Sequence, residues 1–277
     1  MPIVLDFSGK LVLVTGGGRS IGLAIARRIA QAGADVAITY TAKDATDVAE
    51  ELSNEFGTVC KAFKCEVSDS GEVDRMLAAA KESYGRDVDI GIANAGITLW
   101  KDAHENTDDE FRHVFEVNTF GSYYFARALA RSWLGEDIPV GSVVTGRPEP
   151  RQLGKQILFV SSISALVAMT PQRQTAYNAS KAAVTMMAKS LAVEWAHLGI
   201  TVNSISPGYV ATDMIANPPN EEAKAWAAEW TQRTPTGRFA TAEQIGEFVA
   251  TLVSDSQGGM GWMTGSDVVV DGGYTLL

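Results

Sequence analysis

Short runs of apolar and β-branched residues alternate along the chain with longer segments in which apolar residues recur every three or four positions. Runs of the first kind predict strands, and segments of the second kind predict helices. The predicted strands are 10–16, 35–40, 60–67, 89–96, 157–162, 200–208 and 267–273. The predicted helices lie near 21–32, 44–56, 70–84, 108–134, 175–198 and 241–254.

This alternation predicts the fold class. Strands that alternate with helices form parallel sheets covered on both faces, and right-handed crossovers wind such a sheet in both directions. The pattern therefore predicts an α/β fold with a doubly wound, seven-stranded parallel sheet. Residues 1–277 are expected to form a single domain.

Two segments interrupt the alternation. Residues 135–156 are rich in Gly and Pro and predict an insertion loop. Residues 211–239 follow the sixth strand, at the sheet edge where α/β proteins bind ligands. Trp226 and Trp230 are four positions apart there and share a helical face. The segment is interpreted as a substrate lid, and the alternative is a surface helix whose tryptophans pack downward.

Composition and charge exclude several partners. The chain has 277 residues, 46% of them hydrophobic, and a net charge of −10. An acidic surface disfavours nucleic acids and anionic membranes. The first residues lack a basic segment followed by a long apolar stretch, and no apolar run reaches the length of a membrane span. We therefore expect a cytoplasmic protein whose partner is a small molecule.

The cysteines and histidines point to no metal or disulfide. Cys60 and Cys65 lie five positions apart around one predicted strand, so their side chains would face different sides. His104, His113 and His197 are scattered and solitary. The expectation is a reduced protein without a metal site.

A glycine-rich loop joins the first strand to the first helix. In TGGGRSIG (15–22) the glycines let the backbone turn tightly and approach a phosphate, and the helix N-terminus supplies free N–H groups. The context predicts a dinucleotide site. Ser20 stands where a glycine is common; a serine is a good N-cap and can bond a phosphate.

A tyrosine and a lysine share one helical face in TAYNASK (175–181). The pair alone is compatible with two unrelated polar side chains on one helix face and equally with a proton donor beside its activator. The other motifs decide between these readings.

Five motifs, in order, resemble those of the short-chain dehydrogenase/reductase family. ANAG carries Ala93 where the family has a first Asn, and SS precedes the YNASK set. The resemblance implies a Rossmann-like fold and hydride transfer between a nicotinamide and a carbonyl. The motifs are TGGGRSIG (15–22), ANAG (93–96), VNTFG (117–121), SS (161–162) with YNASK (177–181), and SPGYVATDM (206–214).

A closer resemblance is to the fungal ketose and polyol reductases, which include mannitol and arabinitol dehydrogenases, sorbose reductases and some yeast carbonyl reductases. It rests on TPQRQTAYNASKAAV and LAVEWAHLGITVNSISPGYVATDM. The resemblance implies a homotetramer, with 108–134 and 175–198 at one interface and the C-terminal DVVVDGGYTLL at another.

The catalytic residues implied are Asn118, Ser162, Tyr177 and Lys181. Tyr177 would donate a proton to the carbonyl oxygen, and Lys181 would favour the phenolate and orient the nicotinamide ribose. Ser162 would hold the substrate oxygen, and Asn118 would hold a water that resupplies the proton. Ser164 is a rival to Ser162, which is preferred because it ends a predicted strand.

The cofactor and substrate positions follow from the same motifs. Gly96 could serve the cofactor, packing or both, and Thr212 could bond the carboxamide or cap a helix. The expected cofactor-binding residues are Gly16, Arg19, Ser20, Ile21, Gly22, Tyr40, Thr41, Lys43, Glu66, Val67, Asn94, Gly96, Tyr177, Lys181, Pro207, Gly208, Val210 and Thr212. The expected substrate pocket is lined by Trp100, Met169 and Trp226.

The end of the second strand favours NADP(H). An NAD enzyme of this fold needs an acid there for the ribose hydroxyls, and the position falls on Tyr40. Arg19 and Lys43 can attract a 2′-phosphate, and Thr41 can add a hydroxyl. Asp44 is a rival acid if the strand ends later.

Three functions are compatible with these motifs. The preferred one is an NADPH-dependent reductase, reversible as an alcohol dehydrogenase, acting on a ketose or a small ketone. The second is a reductase of β-ketoacyl thioesters or aromatic polyketide ketones. The third is a catalytically idle NADP-sensing subunit, which the complete catalytic set argues against.

Overall fold

The computed structural model describes residues 5–135, 152–212, 221–254 and 259–276. The strands are β1 (Leu11–Val14), β2 (Asp35–Tyr40), β3 (Cys60–Lys64), β4 (Ile90–Ala93), β5 (Lys155–Val160), β6 (Ile200–Pro207), β7 (Val210–Ala211), β8 (Ala240–Thr241) and β9 (Asp267–Val270). The α-helices are α1 (Ser20–Gln31), α2 (Thr46–Phe56), α3 (Ser70–Tyr84), α4 (Asp108–Phe115), α5 (Gly121–Leu134), α6 (Thr175–Trp195), α7 (Glu221–Arg233) and α8 (Ala242–Leu252).

The main sheet of the described chain has seven parallel strands in the order β3-β2-β1-β4-β5-β6-β9. The chain winds outward from β1 to β3, then returns to β4 on the other side of β1. This reversal places a crevice at the carboxyl ends of β1 and β4, where such sheets bind ligands. The predicted doubly wound α/β fold is confirmed.

Helices cover both faces of this sheet. Leu11 and Leu13 face a core formed with α3, α5 and α6, whereas Val12 and Val14 face a core formed with α1 and α8. Successive side chains of a strand point to opposite faces, so both sets of apolar positions are buried. The continuous apolar run of β1 is the sequence signature of this arrangement.

Several predicted strands were too long at their carboxyl ends. β3 ends at Lys64 rather than 67, because Lys64 pairs with Tyr40, the last residue of β2. β5 differs at the other end, since it begins at Lys155 and not at 157. Lys155 is paired with Ile200 and forms an ion pair with Asp89, so a polar residue opens this strand. The insertion loop was therefore predicted two residues too far.

The segment predicted as one helix over 108–134 is two helices. A π-helical turn, Glu116–Phe120, lies between α4 and α5. Such a turn adds one residue to the helical repeat and often occurs at functional sites. Within 211–239 the structure describes α7, while 213–220 lie outside the described residues. Most of the insertion loop, 136–151, also lies outside them.

The cysteines are both free and buried. Within the described ranges no group of three or more His, Cys, Asp or Glu could hold a metal ion. Across the same ranges, no helix is long and apolar enough to cross a bilayer.

The glycine of α8 that faces α1 lets the two helices touch backbone to backbone. A Cβ added to Gly246 would lie 2.6 Å from the carbonyl oxygen of Ala24 and 3.2 Å from the backbone nitrogen of Ile25. A methyl group there requires the helices to separate. The position of α1 matters because its first turn follows the glycine-rich loop.

We expect Gly246→Ala to lower the free energy of unfolding by about 1–3 kcal/mol, the usual cost of overpacking. Urea denaturation followed by circular dichroism measures it. Gly71→Ala in α3 is the matched control, because its Cβ would meet only the movable side-chain ends of Arg75 and Asp69. A Gly246→Ala protein as stable as this control would contradict the packing described.

Candidate active site

The backbone of the glycine-rich loop packs directly against the end of β2. Gly16 has φ +64°, and its N–H donates to Thr39 Oγ1 at 3.1 Å. A Cβ on Gly17 would lie 2.6 Å from the Ile38 side chain. Only glycine allows this approach, and it leaves the loop backbone beside the N-terminus of α1. The loop therefore has the form that accepts a pyrophosphate.

Asn94 connects the end of β4 to this loop. Its Nδ2 donates to the carbonyl oxygens of Thr15, at 2.9 Å, and Gly16, at 3.3 Å. A Cβ on Gly22 would lie 2.3 Å from the Gly16 oxygen and 2.5 Å from Asn94 Nδ2. The Asn94 amide thus shapes the loop, and its expected place along the cofactor stays a prediction. Ile21, beside Gly22, is partly buried against the core under α1.

Ser20 does not cap α1 as the sequence had suggested. The N-cap is Arg19, with extended backbone and no capping bond from its side chain. Ser20 is the first helical residue and has φ +52°, a conformation that favours glycine. The serine therefore strains the backbone at the place where the usual dinucleotide pattern has a glycine.

The end of β2 falls on Tyr40, as predicted. The Tyr40 hydroxyl donates to Asp44 at 3.1 Å, and the other oxygen of that carboxylate accepts from Thr46 N at 2.7 Å. Asp44 thus serves the start of α2. Arg19 and Lys43 are exposed, and neither forms an ion pair with a described residue.

The positions expected to border the adenine follow β3. The Glu66 carboxylate accepts from Ser68 N at 3.3 Å and from Ser68 Oγ at 2.9 Å, so it bonds within its own turn. Val67 is buried and packs where Gly121 begins α5. Thr41 Oγ1 donates to the carbonyl of Cys65 at 3.3 Å, which joins the ends of β2 and β3.

The predicted proton donor and its lysine stand side by side on α6. Lys181 Nζ lies 5.8 Å from the centre of the Tyr177 ring and donates to the Val160 carbonyl at 2.8 Å. Burial lowers the pKa of Lys181 to about 8. Burial also raises the pKa of Tyr177, and a hydrogen bond with Ser162 opposes that rise. The phenol therefore stays protonated at neutral pH, and the effect of Lys181 on the phenolate stays a prediction.

The two candidate serines have different partners. Ser162 lies against Tyr177, and its oxygen accepts from Ser164 N at 3.1 Å. Ser164 Oγ is buried and accepts from Gln174 Nε2 at 3.0 Å. This geometry brings Ser162, and not Ser164, to the tyrosine.

Asn118 lies in the π-helical turn and is fully buried. Its Nδ2 donates to the Ile97 carbonyl at 2.9 Å and to Ser180 Oγ at 3.0 Å, and its Oδ1 accepts from Ile97 N at 2.8 Å. The amide has no donor left for a water, and Oδ1 keeps one acceptor site. A Cβ on Gly96 would lie 3.2 Å from this oxygen and 3.5 Å from Lys181 Nζ, so Gly96 must be small.

The end of β6 completes the edge of the crevice. Pro207 is its last residue, and a Cβ on Gly208 would lie 2.7 Å from Asp271 Cα. Val210 is buried in β7, and Thr212 follows that strand and is partly exposed. The chain leaves the sheet here toward the segment expected to cover the substrate.

Comparison with known proteins identifies the family. A family model described as Enoyl-(Acyl carrier protein) reductase matches residues 16–275. A sorbose reductase of Candida albicans is 37% identical over 275 residues, which cover 98% of this chain and 89% of that protein. An NADP-dependent mannitol dehydrogenase of Hypocrea jecorina is 35% identical over 279 residues, covering 98% and 94%.

A solved structure agrees with these sequences. The NADPH-dependent 3-quinuclidinone reductase from Rhodotorula rubra superposes with a TM-score of 0.84 at 31% identity, covering 99% of this chain and 94% of that one. The chain belongs to the short-chain dehydrogenase/reductase family. Its membership makes it an oxidoreductase that acts on carbonyl or CH–OH groups, as predicted.

Three tryptophans of this short-chain dehydrogenase/reductase form one cluster, and Trp100 joins it to the residue before α6 by donating its Nε1–H to Gln174. The ring of Trp100 lies 5.8 Å from that of Trp226 and 5.9 Å from that of Trp230. Trp230 is buried and stacks on Tyr209 at 4.7 Å, so α7 packs onto the domain through it. Met169 is not in this cluster; it packs with Ile163, Val167, Tyr209 and Tyr274.

Sequence reasoning missed two buried glutamines. Gln172 accepts from Trp230 Nε1 at 2.7 Å and donates to the Tyr209 hydroxyl at 2.7 Å. Gln174 accepts from Trp100 Nε1 at 3.0 Å. Two glutamines in PQRQ, directly before the tyrosine motif of a short-chain dehydrogenase/reductase, were the available signal.

We expect Ser20→Gly to raise the free energy of unfolding by about 1 kcal/mol, because glycine adopts φ +52° without the steric cost. Urea denaturation measures the change. Ser190→Gly is the matched control on the exposed side of α6, and there the same substitution should destabilise by about 0.5 kcal/mol. Equal losses at both positions would show that Ser20 is not strained.

Proposed function

We propose that this oxidoreductase uses NADPH to reduce the carbonyl of a ketose or a small ketone, with Tyr177 as the proton donor. The observation that carries the proposal is the grouping of Ser162, Tyr177 and Lys181 at the carboxyl edge of the sheet. Gly96, which follows β4, lies next to this group, since a Cβ there would come within 3.5 Å of Lys181 Nζ. The site thus fits a dinucleotide laid along the strand ends.

The chain's own residues manage the proton. When bound, NADPH supplies the hydride that adds to the carbonyl carbon. As charge develops on the carbonyl oxygen, Tyr177 transfers its phenolic proton to that oxygen, and Ser162 holds the oxygen in place by a hydrogen bond. The raised pKa of Tyr177 keeps the donor loaded at neutral pH.

Lys181 stabilises the phenolate that remains. With a pKa of about 8, its ammonium is mostly charged at neutral pH. A positive charge near the ring lowers the cost of the phenolate after transfer. The same ammonium would hold the ribose of the cofactor. The free acceptor site on Asn118 Oδ1 supports a water between Asn118 and Lys181, through which the proton is resupplied.

Two observations support the substrate class. Relatives are named for sorbose, a ketose, and for mannitol, a polyol. Trp100, whose indole N–H is bonded to Gln174 three residues before Tyr177, forms an aromatic wall with Trp226. That wall accepts the apolar part of a ketone.

A substrate panel tests the proposal. Sorbose, fructose, an aryl ketone and a β-ketoacyl thioester are scored by loss of NADPH absorbance. Turnover of a ketose or small ketone at a higher kcat/KM than the thioester supports the proposal. Preference for the thioester favours the second function, and no turnover of any ketone favours an idle subunit.

Cofactor choice is supported by the end of β2. Tyr40 occupies the place where an NAD enzyme has an acid, and the carboxylate of Asp44 is bonded to Thr46 N and Tyr40. Arg19 and Lys43 are exposed cations without an ion pair among the described residues, so they can meet a 2′-phosphate. Relatives named as NADP-dependent agree with this choice.

We expect Tyr177→Phe to lower kcat about a hundredfold or more, because general acid catalysis is lost. The NADPH dissociation constant, measured by fluorescence quenching, should change little. Tyr123→Phe on the exposed side of α5 is the control and should keep its full rate. An unchanged kcat for Tyr177→Phe would exclude the tyrosine as proton donor.

We expect the native protein to prefer NADPH over NADH in kcat/KM by at least about tenfold, or 1.4 kcal/mol. Tyr40→Asp should move the ratio toward NADH, since a carboxylate repels a 2′-phosphate and binds ribose hydroxyls. Tyr40→Phe is the control and should keep the native ratio. A native preference for NADH would contradict the assignment.

A further inference from the structure

One buried carboxamide joins three elements around the catalytic tyrosine. Gln174 is 6% exposed and precedes the first residue of α6. Its Oε1 accepts from Trp100 Nε1 at 3.0 Å. Its Nε2 donates to Ser164 Oγ at 3.0 Å and to Asn178 Oδ1 at 2.9 Å. Both donors of the amide are therefore used inside the protein.

These bonds extend to the serine that touches Tyr177. Ser164 lies in the short 3-10 turn Ile163–Ala165, and its backbone N–H donates to Ser162 Oγ at 3.1 Å. The Ser162 oxygen accepts from this N–H, so the position of the turn determines in which direction the Ser162 hydroxyl can donate its own hydrogen bond. Gln174 holds this 3-10 turn to the start of α6.

We propose that Gln174 is a positioning residue that sets the Ser162 hydroxyl against Tyr177 and fixes Trp100 as one wall of the site. The proposal rests on the proposed roles of Ser162 and Tyr177. Asn178, next to Tyr177, is bonded to the same amide, so Gln174 fixes the position of Ser162 relative to Tyr177. Gln174 acts through these neighbours and needs no contact with the substrate.

Gln172 supplies a contrast within the same segment. It is 4% exposed and also bonds a tryptophan, but its amide joins Trp230 of α7 to the Tyr209 hydroxyl. None of its hydrogen bonds to the described residues reaches Ser162, Ser164 or Asn178. The two glutamines are similarly buried, but Gln174 joins Trp100 to Ser164 and Asn178 by three bonds, whereas Gln172 joins α7 to Tyr209 by two.

The experiment compares Gln174→Met with Gln172→Met, since methionine keeps the length of the side chain and removes its hydrogen bonds. Circular dichroism and thermal unfolding establish that both variants fold. We expect Gln174→Met to lower kcat about tenfold or more, with the NADPH dissociation constant unchanged. Gln172→Met should keep kcat within about threefold.

The direction of the pH shift in alcohol oxidation separates lost positioning from general loosening, because loosening would hydrate the buried Tyr177 and lower its pKa. Oxidation requires the Tyr177 phenolate, so its rate rises as pH passes the pKa of the tyrosine. The bond with Ser162 lowers that pKa. Gln174→Met should therefore shift the rise to higher pH, and Gln172→Met should not. Equal profiles in the two variants would overturn the proposal.

Ser164→Ala keeps the proposal testable if Gln174→Met fails to fold. It removes the acceptor for Gln174 Nε2 and retains the N–H that serves Ser162. We expect a smaller loss of kcat than for Ser162→Ala, accompanied by the same direction of pH shift. A loss equal to that of Ser162→Ala, or an unshifted profile, would contradict the positioning path.

The outcomes separate this proposal from the proposed function. If Ser162→Ala and Tyr177→Phe both retain full activity, the proton-donor assignment fails. If those two variants lose activity while Gln174→Met, correctly folded, keeps the native rate and profile, only the role of Gln174 fails.

Discussion

The hydrogen bonds of Asn94 hold together the two strand ends between which the site lies. Its Nδ2 donates to backbone carbonyls of the glycine-rich loop, and its own N–H donates to Thr15 Oγ1 at 3.0 Å. Parallel strands place their carboxyl ends at one edge, but they do not determine how the following loops meet. Without this amide, buried carbonyls of the loop would lose partners at a cost of about 1–3 kcal/mol each. The Asn94 amide therefore adds to the β1–β4 pairing and to the bond from Ala95 N to Thr15 Oγ1 in fixing the loop against the end of β4.

A second set of bonds ties β5 to α6 and sets the electrostatics of the lysine. Ser161 Oγ bonds the Lys181 carbonyl at 3.1 Å and Thr185 Oγ1 at 2.7 Å, and Lys181 Nζ bonds the carbonyl at the end of β5. Among the described residues the ammonium has this one hydrogen-bond acceptor, and its burial lowers the pKa of Lys181. Burial acts oppositely on the tyrosine because its charged form is an anion. One desolvated location thus yields a protonated phenol beside a cation that titrates close to neutral pH.

Much of this arrangement could be predicted from the sequence, and the remainder depends on distant contacts. The run DVAITY ends at Tyr40 because turn residues follow it, so the end of this strand could be predicted from the sequence pattern. The limits of β3 and β5 could not be predicted in this way, because they depend on where the pairing with the neighbouring strand starts and stops. Ser162 was favoured by its place at a strand end. Gln174 went unnoticed because its partners Trp100 and Ser164 come from other elements.

The three tryptophans of the site differ in how firmly each is held. Trp100 and Trp230 each donate an indole N–H to a buried glutamine. Trp226 has only ring contacts with the other two among the described residues, and it is partly exposed. The Trp226 side chain can therefore be replaced by one of another size without leaving a buried polar group unpaired. Among the three, Trp226 is therefore the position where a change of side-chain volume would cost the least stability.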